Sequence, residues 1–229
     1  KYDDTALDPT RESTYRFLDT FIGEMAALFP DAYFHVGGDE SRGTQWLANP
    51  RITSFMTTHS LKTAAALQTY FESRLLKIVA KHGKHMVGWE EILHSDFSGE
   101  QALNPLPKEV VVEPWHNPDL LLEGARHVYP MIMSAPYYLN RMYSAEQHYS
   151  ADPEHPDTLS QGLWVGSFEE KNDIADRKDQ ATGLSPEQHA NILGGEVCMW
   201  GKYIEPDTVD SIMWPRLAAI AERFWSSED

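Results

Sequence analysis

The 229-residue sequence has one cysteine, Cys198. A single thiol excludes an internal disulfide framework and any zinc site built on cysteines. Basic residues are scarce: 19 Lys and Arg stand against 35 Asp and Glu, a formal charge of −16. That imbalance argues against a nucleic-acid partner and against an anionic membrane face, both of which need positive charge. No apolar run approaches the length needed to cross a membrane. Asn-x-Ser/Thr sequons are absent, which favours a bacterial source or an unglycosylated compartment. There is no low-complexity tract and no short repeat. The first residue is Lys1 rather than Met, so a processed or trimmed product is expected. What remains is ordinary globular composition, 41% hydrophobic and 24% charged, enough for one domain with a proper core.

Tyr33-Phe34-His35-Val36-Gly37-Gly38-Asp39-Glu40 organises the chain. Four mostly apolar residues read as a short strand. Two glycines then let the backbone turn and let a ligand approach, and two acids follow at the strand mouth. Before it, Asp8-Pro9 predicts a helix start, with Leu18, Phe21, Ile22, Met25 and Leu28/Phe29 on one face. After it, Leu61 to about Lys81 predicts a second helix with Leu67, Tyr70, Phe71, Leu75, Ile78 and Val79 inward. Further strands are expected at 85–91, 110–116, 127–135 and 191–200, a short helix at 119–126, and helical segments opened by Asp207 and Pro215. A long polar stretch from Arg141 to His189 carries few element signals.

Strands alternating with helices imply a parallel sheet. The strand ends share a chemistry: Asp39/Glu40, Trp89/Glu90, Trp115/His116, Tyr138/Asn140 and Trp200. That distribution matches a (β/α)8 barrel, whose sites lie at the C-terminal ends of its strands. About five strands are legible, so the expected architecture is the C-terminal part of a TIM-type α/β barrel. It would form one domain over 1–229 with the first strands missing. Three strand-end tryptophans with acids suggest a sugar pocket, since indole faces cover a pyranose ring while carboxylates handle its oxygens.

Acid spacing narrows the chemistry. A two-carboxylate glycosidase needs its acids about 5–9.5 Å apart on opposite faces of the scissile bond. Asp39 and Glu40 are adjacent, with Cα atoms about 3.8 Å apart. Either the second carboxylate is remote, with Glu90, Glu91, Glu113 and Glu196 as candidates, or the substrate supplies the nucleophile.

His35-Val36-Gly37-Gly38-Asp39-Glu40 resembles the His-x-Gly-Gly-Asp-Glu signature of family 20 glycoside hydrolases, the β-N-acetylhexosaminidases. The resemblance includes Leu7-Asp8-Pro9-Thr10, Val87-Gly88-Trp89-Glu90-Glu91, Tyr137-Tyr138-Leu139, Gly194 to Gly201 and Trp214-Pro215-Arg216 with Ala221-Glu222-Arg223. It implies that Glu40 is the general acid/base. Asp39 would hold the substrate 2-acetamido N–H, and Tyr138 would bond its carbonyl oxygen. Trp89, Trp115 and Trp200 would wall the terminal sugar, and the acetamido oxygen would be the nucleophile. His35 is read as structural, and His116 stays open. The resemblance further implies a substrate with a terminal N-acetylhexosamine, no cofactor and no metal. It also implies a secreted, periplasmic or lysosomal setting, and a homo-oligomer or a pairing with the missing N-terminal segment.

Two positions depart from the family pattern. Asn140 replaces an Asp and Lys202 a Glu that hold hydroxyls at the non-reducing end of the sugar. A preference for 6-sulfated or 6-phosphorylated GlcNAc is therefore one alternative, and a non-catalytic glycan-binding derivative is another. A metal-dependent hydrolase using His35, Asp39, Glu40 and His116 is the third, without any evident ligand spacing.

Overall fold

The structure, a computed structural model, describes residues 6–93, 106–116, 119–141, 143–153, 184–201 and 204–226. The chain divides into two compact units, residues 1–112 and 113–229.

The first unit opens with α1 (Glu12–Leu28), β1 (Tyr33–His35), α2 (Thr44–Leu47), α3 (Pro50–Thr58), α4 (Ala64–Lys81) and β2 (His85–Trp89). A single 3-10 turn, Glu90–Leu93, follows directly. β1 and β2 pair in parallel with Tyr33 opposite His85 and His35 opposite Val87. Asp8 does not cap α1, which begins at Glu12 with Arg11 as its N-cap. Its carboxylate instead accepts from the backbone N–H and hydroxyl of Thr10 and pairs with Arg11 and Arg51. The lone acid meets two cations there, which outweighs capping.

Sequence periodicity overlooks α2 and α3, although a signal is present. Asn49 accepts from Arg51 N at 3.1 Å and Pro50 occupies the first helical position. Trp46, Ile52, Met56, Leu61 and Leu67 form a core cluster beside these helices, and the Trp46 indole donates to Leu7 O at 3.0 Å. α1 buries Tyr15 and Ile22, while Phe21, Leu28 and Phe29 are exposed. Its predicted apolar face is thus wider than the part of it that is covered.

The helix predicted from Leu61 begins three residues later, where the Thr63 hydroxyl accepts from Ala66 N. α4 packs on α1 and also on β2 and the 3-10 turn. Covered on two sides, it buries Gln68, Thr69 and Glu72 along with its apolar stripe. A single-face reading of the sequence assigns those polar residues to solvent.

β3 (Val111–Glu113) carries the division between the units. The second unit continues with α5 (Asp119–Arg126), β4 (Met131–Met133), α6 (Ala145–Tyr149), α7 (Pro186–His189), β5 (Ile192–Gly195), α8 (Val209–Met213) and α9 (Arg216–Trp225). β4 and β5 pair in parallel, with a register shift between Met131 and Ile132. Both short helices α6 and α7 begin with complete capping boxes, Ser144 with Gln147 and Ser185 with Gln188. Within α6, His148 is fully buried, and neither ring nitrogen has a hydrogen-bond partner among the described residues. Burial pulls its pKa down to about 4, so the ring is neutral.

Candidate active site

The candidate residues of the first unit grow out of β1. Val36 N donates to Val87 O, and the chain then turns through Gly37 and Gly38, both at positive φ (78° and 103°). A Cβ on Gly38 would also lie 2.4 Å from Cγ2 of Ile92, so conformation and space both demand glycine there. The turn delivers Asp39 and Glu40 to the surface, where both are exposed. Glu40 itself sits at φ 52°, in the left-handed region.

The end of β2 lies against this turn. Trp89 N donates to Gly37 O at 3.0 Å, and the Trp89 indole meets the His35 ring edge-on at 4.7 Å. His35 Nδ1 accepts from Gly37 N at 3.0 Å. That contact gives the histidine a local structural task consistent with its reading from sequence. Trp89, Glu90 and Glu91 are all buried, and Glu91 Oε1 accepts from the backbone N of Glu40 at 3.3 Å.

Behind the turn, Gln68 Nε2 of α4 donates to Gly38 O at 2.7 Å. One helical turn further on, Glu72 is 2% exposed, and its Oε2 has no hydrogen-bond partner among the described residues. Burial raises its pKa from 4.5 to about 8, so the side chain is a neutral acid at pH 7. The unfolded chain releases this proton near pH 4.5, whereas the folded chain keeps it until about pH 8. Glu72 therefore costs no stability at low pH and an increasing amount as pH rises through that window, with a slope of about 1.4 kcal/mol per pH unit. Glu72→Gln, which cannot ionise, is expected to remove this slope. Chemical denaturation at pH 5 and pH 8 should show the variant gaining far more on wild type at pH 8 than at pH 5. Equal gains at both pH values would contradict the assignment.

The remaining candidate residues belong to the second unit. Trp115 and Tyr138 stack at 6.4 Å with 24° between their planes, and His116 lies against Trp115 with 3.5 Å between ring centroids. Tyr138 is 4% exposed and forms a parallel bridge with Cys198, where Leu139 N donates to Cys198 O and Cys198 N to Tyr137 O. That bridge sets Tyr138 and Asn140 beside the segment that leads to Trp200. Asn140 Oδ1 is buried without a hydrogen-bond partner among the described residues, and Trp200 is half exposed. Burial, reinforced by Glu196, pushes the Cys198 thiol well above its ordinary range. It remains a neutral S–H donating to Glu196 Oε1 at 3.3 Å and is no nucleophile.

Asp39, Glu40 and Trp89 thus fall together in the first unit, and Trp115, Tyr138, Asn140 and Trp200 in the second. Lys202 lies outside the described residues. Reading the sequence missed Gln68 and Glu72, whose only signal is two polar residues next to the apolar stripe of α4.

The family model described as "Glycosyl hydrolase family 20, catalytic domain" matches residues 1–228. The chain is 32% identical to the beta-hexosaminidase subunit alpha of Mus musculus over 227 residues, covering 96% of this chain and 37% of that protein. It is 29% identical to the Homo sapiens beta-hexosaminidase subunit beta, over 97% of this chain and 35% of that protein. The solved chitobiase of Flavobacterium johnsoniae superposes with a TM-score of 0.78 at 38% identity, over 98% of this chain and 30% of that chain. An exo beta-N-acetylglucosaminidase from Vibrio harveyi superposes at 0.76 with 24% identity, over 99% of this chain and 33% of that one, a likeness of fold alone. The chain therefore spans about a third of each of these proteins. These likenesses place it in the α/β class of (β/α)8-barrel type that the alternating strands and helices predict.

Proposed function

The chain belongs to glycosyl hydrolase family 20, and from that premise we propose that it carries the machinery of a retaining exo-β-N-acetylhexosaminidase acting by substrate assistance. The observation that carries this reading is the pair of adjacent, exposed acids delivered by the Gly37-Gly38 turn. Neighbouring carboxylates are poorly placed to act from opposite faces of one sugar, which a conventional double displacement requires. They are well placed to serve one face, with one acid for the leaving oxygen and one for the 2-acetamido group.

In this mechanism the acetamido carbonyl oxygen attacks C1 while the glycosidic C1–O bond breaks. Glu40 gives its proton to the departing oxygen. Asp39 accepts the acetamido N–H and offsets the positive charge that spreads over the oxazolinium ring. Tyr138 directs its hydroxyl at the acetamido oxygen and orients it for attack, a role that suits a buried phenol stacked on Trp115. Water then adds at C1, the Glu40 carboxylate takes its proton, and the ring reopens with net retention. Trp89, Trp115 and Trp200 cover the apolar faces of the terminal sugar. Asn140 supports a contact at the non-reducing end, because its Oδ1 is an acceptor with no partner of its own among the described residues. Lys202 would add a cation there and favour a 6-sulfated or 6-phosphorylated sugar.

The test is turnover of aryl β-N-acetylglucosaminides and β-N-acetylgalactosaminides by the full-length protein, with the anomer released followed by NMR. Turnover with release of the β-anomer supports the reading. Tight glycan binding without turnover identifies a binding derivative instead, and release of the α-anomer excludes substrate assistance.

A further inference from the structure

Glu40 occupies a conformation that costs a residue with a side chain about 1–2 kcal/mol. Left-handed backbone at a non-glycine persists only where its surroundings hold it. Three bonds hold this turn: Gln68 Nε2 to Gly38 O, Trp89 N to Gly37 O, and Glu40 N to Glu91 Oε1. The first two fix the glycines. Of these three the third addresses Glu40 itself, and it comes from a side chain 51 residues away.

Glu91 is suited to hold something in place. It is 5% exposed, on the 3-10 turn that follows β2 without a break. Packing of that turn on α4 leaves its buried carboxylate little room to wander. At 3.3 Å, Glu91 Oε1 is an acceptor that ties the Glu40 peptide N–H to the turn after β2. Holding the N–H of Glu40 restrains the peptide plane that carries its Cα, and so narrows the arc its carboxyl can reach.

We propose that Glu91 is a positioning residue for the acid/base, holding the Glu40 backbone so that its carboxyl meets the leaving-group oxygen. This rests on the reading of Glu40 as the general acid. The remote-carboxylate alternative would have Glu91 reach the substrate, yet its Oε1 is engaged with the backbone of the neighbouring acid. Misplacing an acid by about 1 Å can cost 10²-fold in rate without altering how the sugar is bound. The consequence is a selective loss: large where proton donation limits the rate, small where it does not.

The experiment uses full-length protein with Glu91→Leu, Glu91→Gln and Glu91→Asp, measuring kcat and KM on chitobiose and on a dinitrophenyl β-N-acetylglucosaminide. Amide hydrogen exchange of the segment containing Glu40 is followed in parallel. Glu91→Leu should lower kcat on chitobiose by about 10²-fold, with KM nearly unchanged and a much smaller loss on the dinitrophenyl glycoside. Glu91→Gln keeps an acceptor and should stay near wild type. Glu91→Asp keeps the charge but withdraws the acceptor by one methylene. It should follow Leu in direction, and it guards against a Leu variant that fails to fold. Exchange at Glu40 should quicken in Leu and Asp and not in Gln. Equal losses on both glycosides, a Gln variant as damaged as Leu, or unchanged exchange at Glu40 would overturn the role. A wild-type protein inert toward both glycosides overturns the hexosaminidase reading itself, a result distinct from an active enzyme that tolerates Glu91→Leu.

Discussion

Removing the 2-acetamido group from the substrate is expected to slow turnover by at least roughly 10³-fold, because well-oriented intramolecular nucleophiles carry effective molarities far above that. The comparison is between matched aryl β-N-acetylglucosaminides and β-glucosides at a common leaving group. In the proposed mechanism no side chain replaces the missing nucleophile. Asp39 and Glu40 are consecutive residues on one turn, and the one cysteine is a buried neutral thiol. A thiazoline that mimics the cyclised intermediate should correspondingly bind at least about 10²-fold more tightly than substrate, as mimics of high-energy species do. Trapping a covalent glycosyl ester on Asp39 or Glu40 would falsify this account. Comparable rates on the two sugars would do the same.

Glu40→Gln is the second large effect. The amide is isosteric and still polar but has no acidic proton to give. Turnover of substrates with basic leaving oxygens should fall by roughly 10²-fold or more, while a dinitrophenyl glycoside, whose phenolate departs unaided, loses much less. A plot of log kcat against leaving-group pKa should therefore steepen in the variant. The backbone N–H of Glu40 is untouched by this substitution, so its bond to Glu91 survives and the turn keeps its shape. A uniform fall across all leaving groups would assign the proton to another residue. Glu90 is then the next candidate, buried at the end of β2.

The elements legible in the sequence are those whose signals are local. β1 and β2 announce themselves as apolar runs ending in glycine, and the parallel pairing of β1 with β2 and of β4 with β5 accords with strands separated by helices. α5 is legible to its bounds, Asp119–Arg126, because a short amphipathic run lies between two breaks. α2 and α3 escape because four- and nine-residue helices span too few turns for a periodicity to show. The start of α1 is misplaced because Asp8 satisfies two readings. An acid before proline can cap a helix or pair with cations, and only the fold supplies Arg51, 43 residues away.

For the candidate site, the sequence by itself determined which acids and aromatics stand at the strand ends. Asp39, Glu40, Trp89, Trp115, Tyr138, Asn140 and Trp200 stand at strand ends because a strand period and a glycine break place them there. The tertiary structure alone decided the state of the residues around them. Nothing in the local sequence of α4 distinguishes Glu72 from a solvent-facing glutamate. Its burial comes from α1, β2 and the 3-10 turn packing on one helix, and its raised pKa follows from that loss of water. Adjacent acids at positions 90 and 91 read alike until the fold brings the backbone of Glu40 to one of them. Identity and spacing are encoded along the chain. Desolvation and the bonds that hold a turn in left-handed backbone depend on what packs against it, and that is known only once the chain has folded.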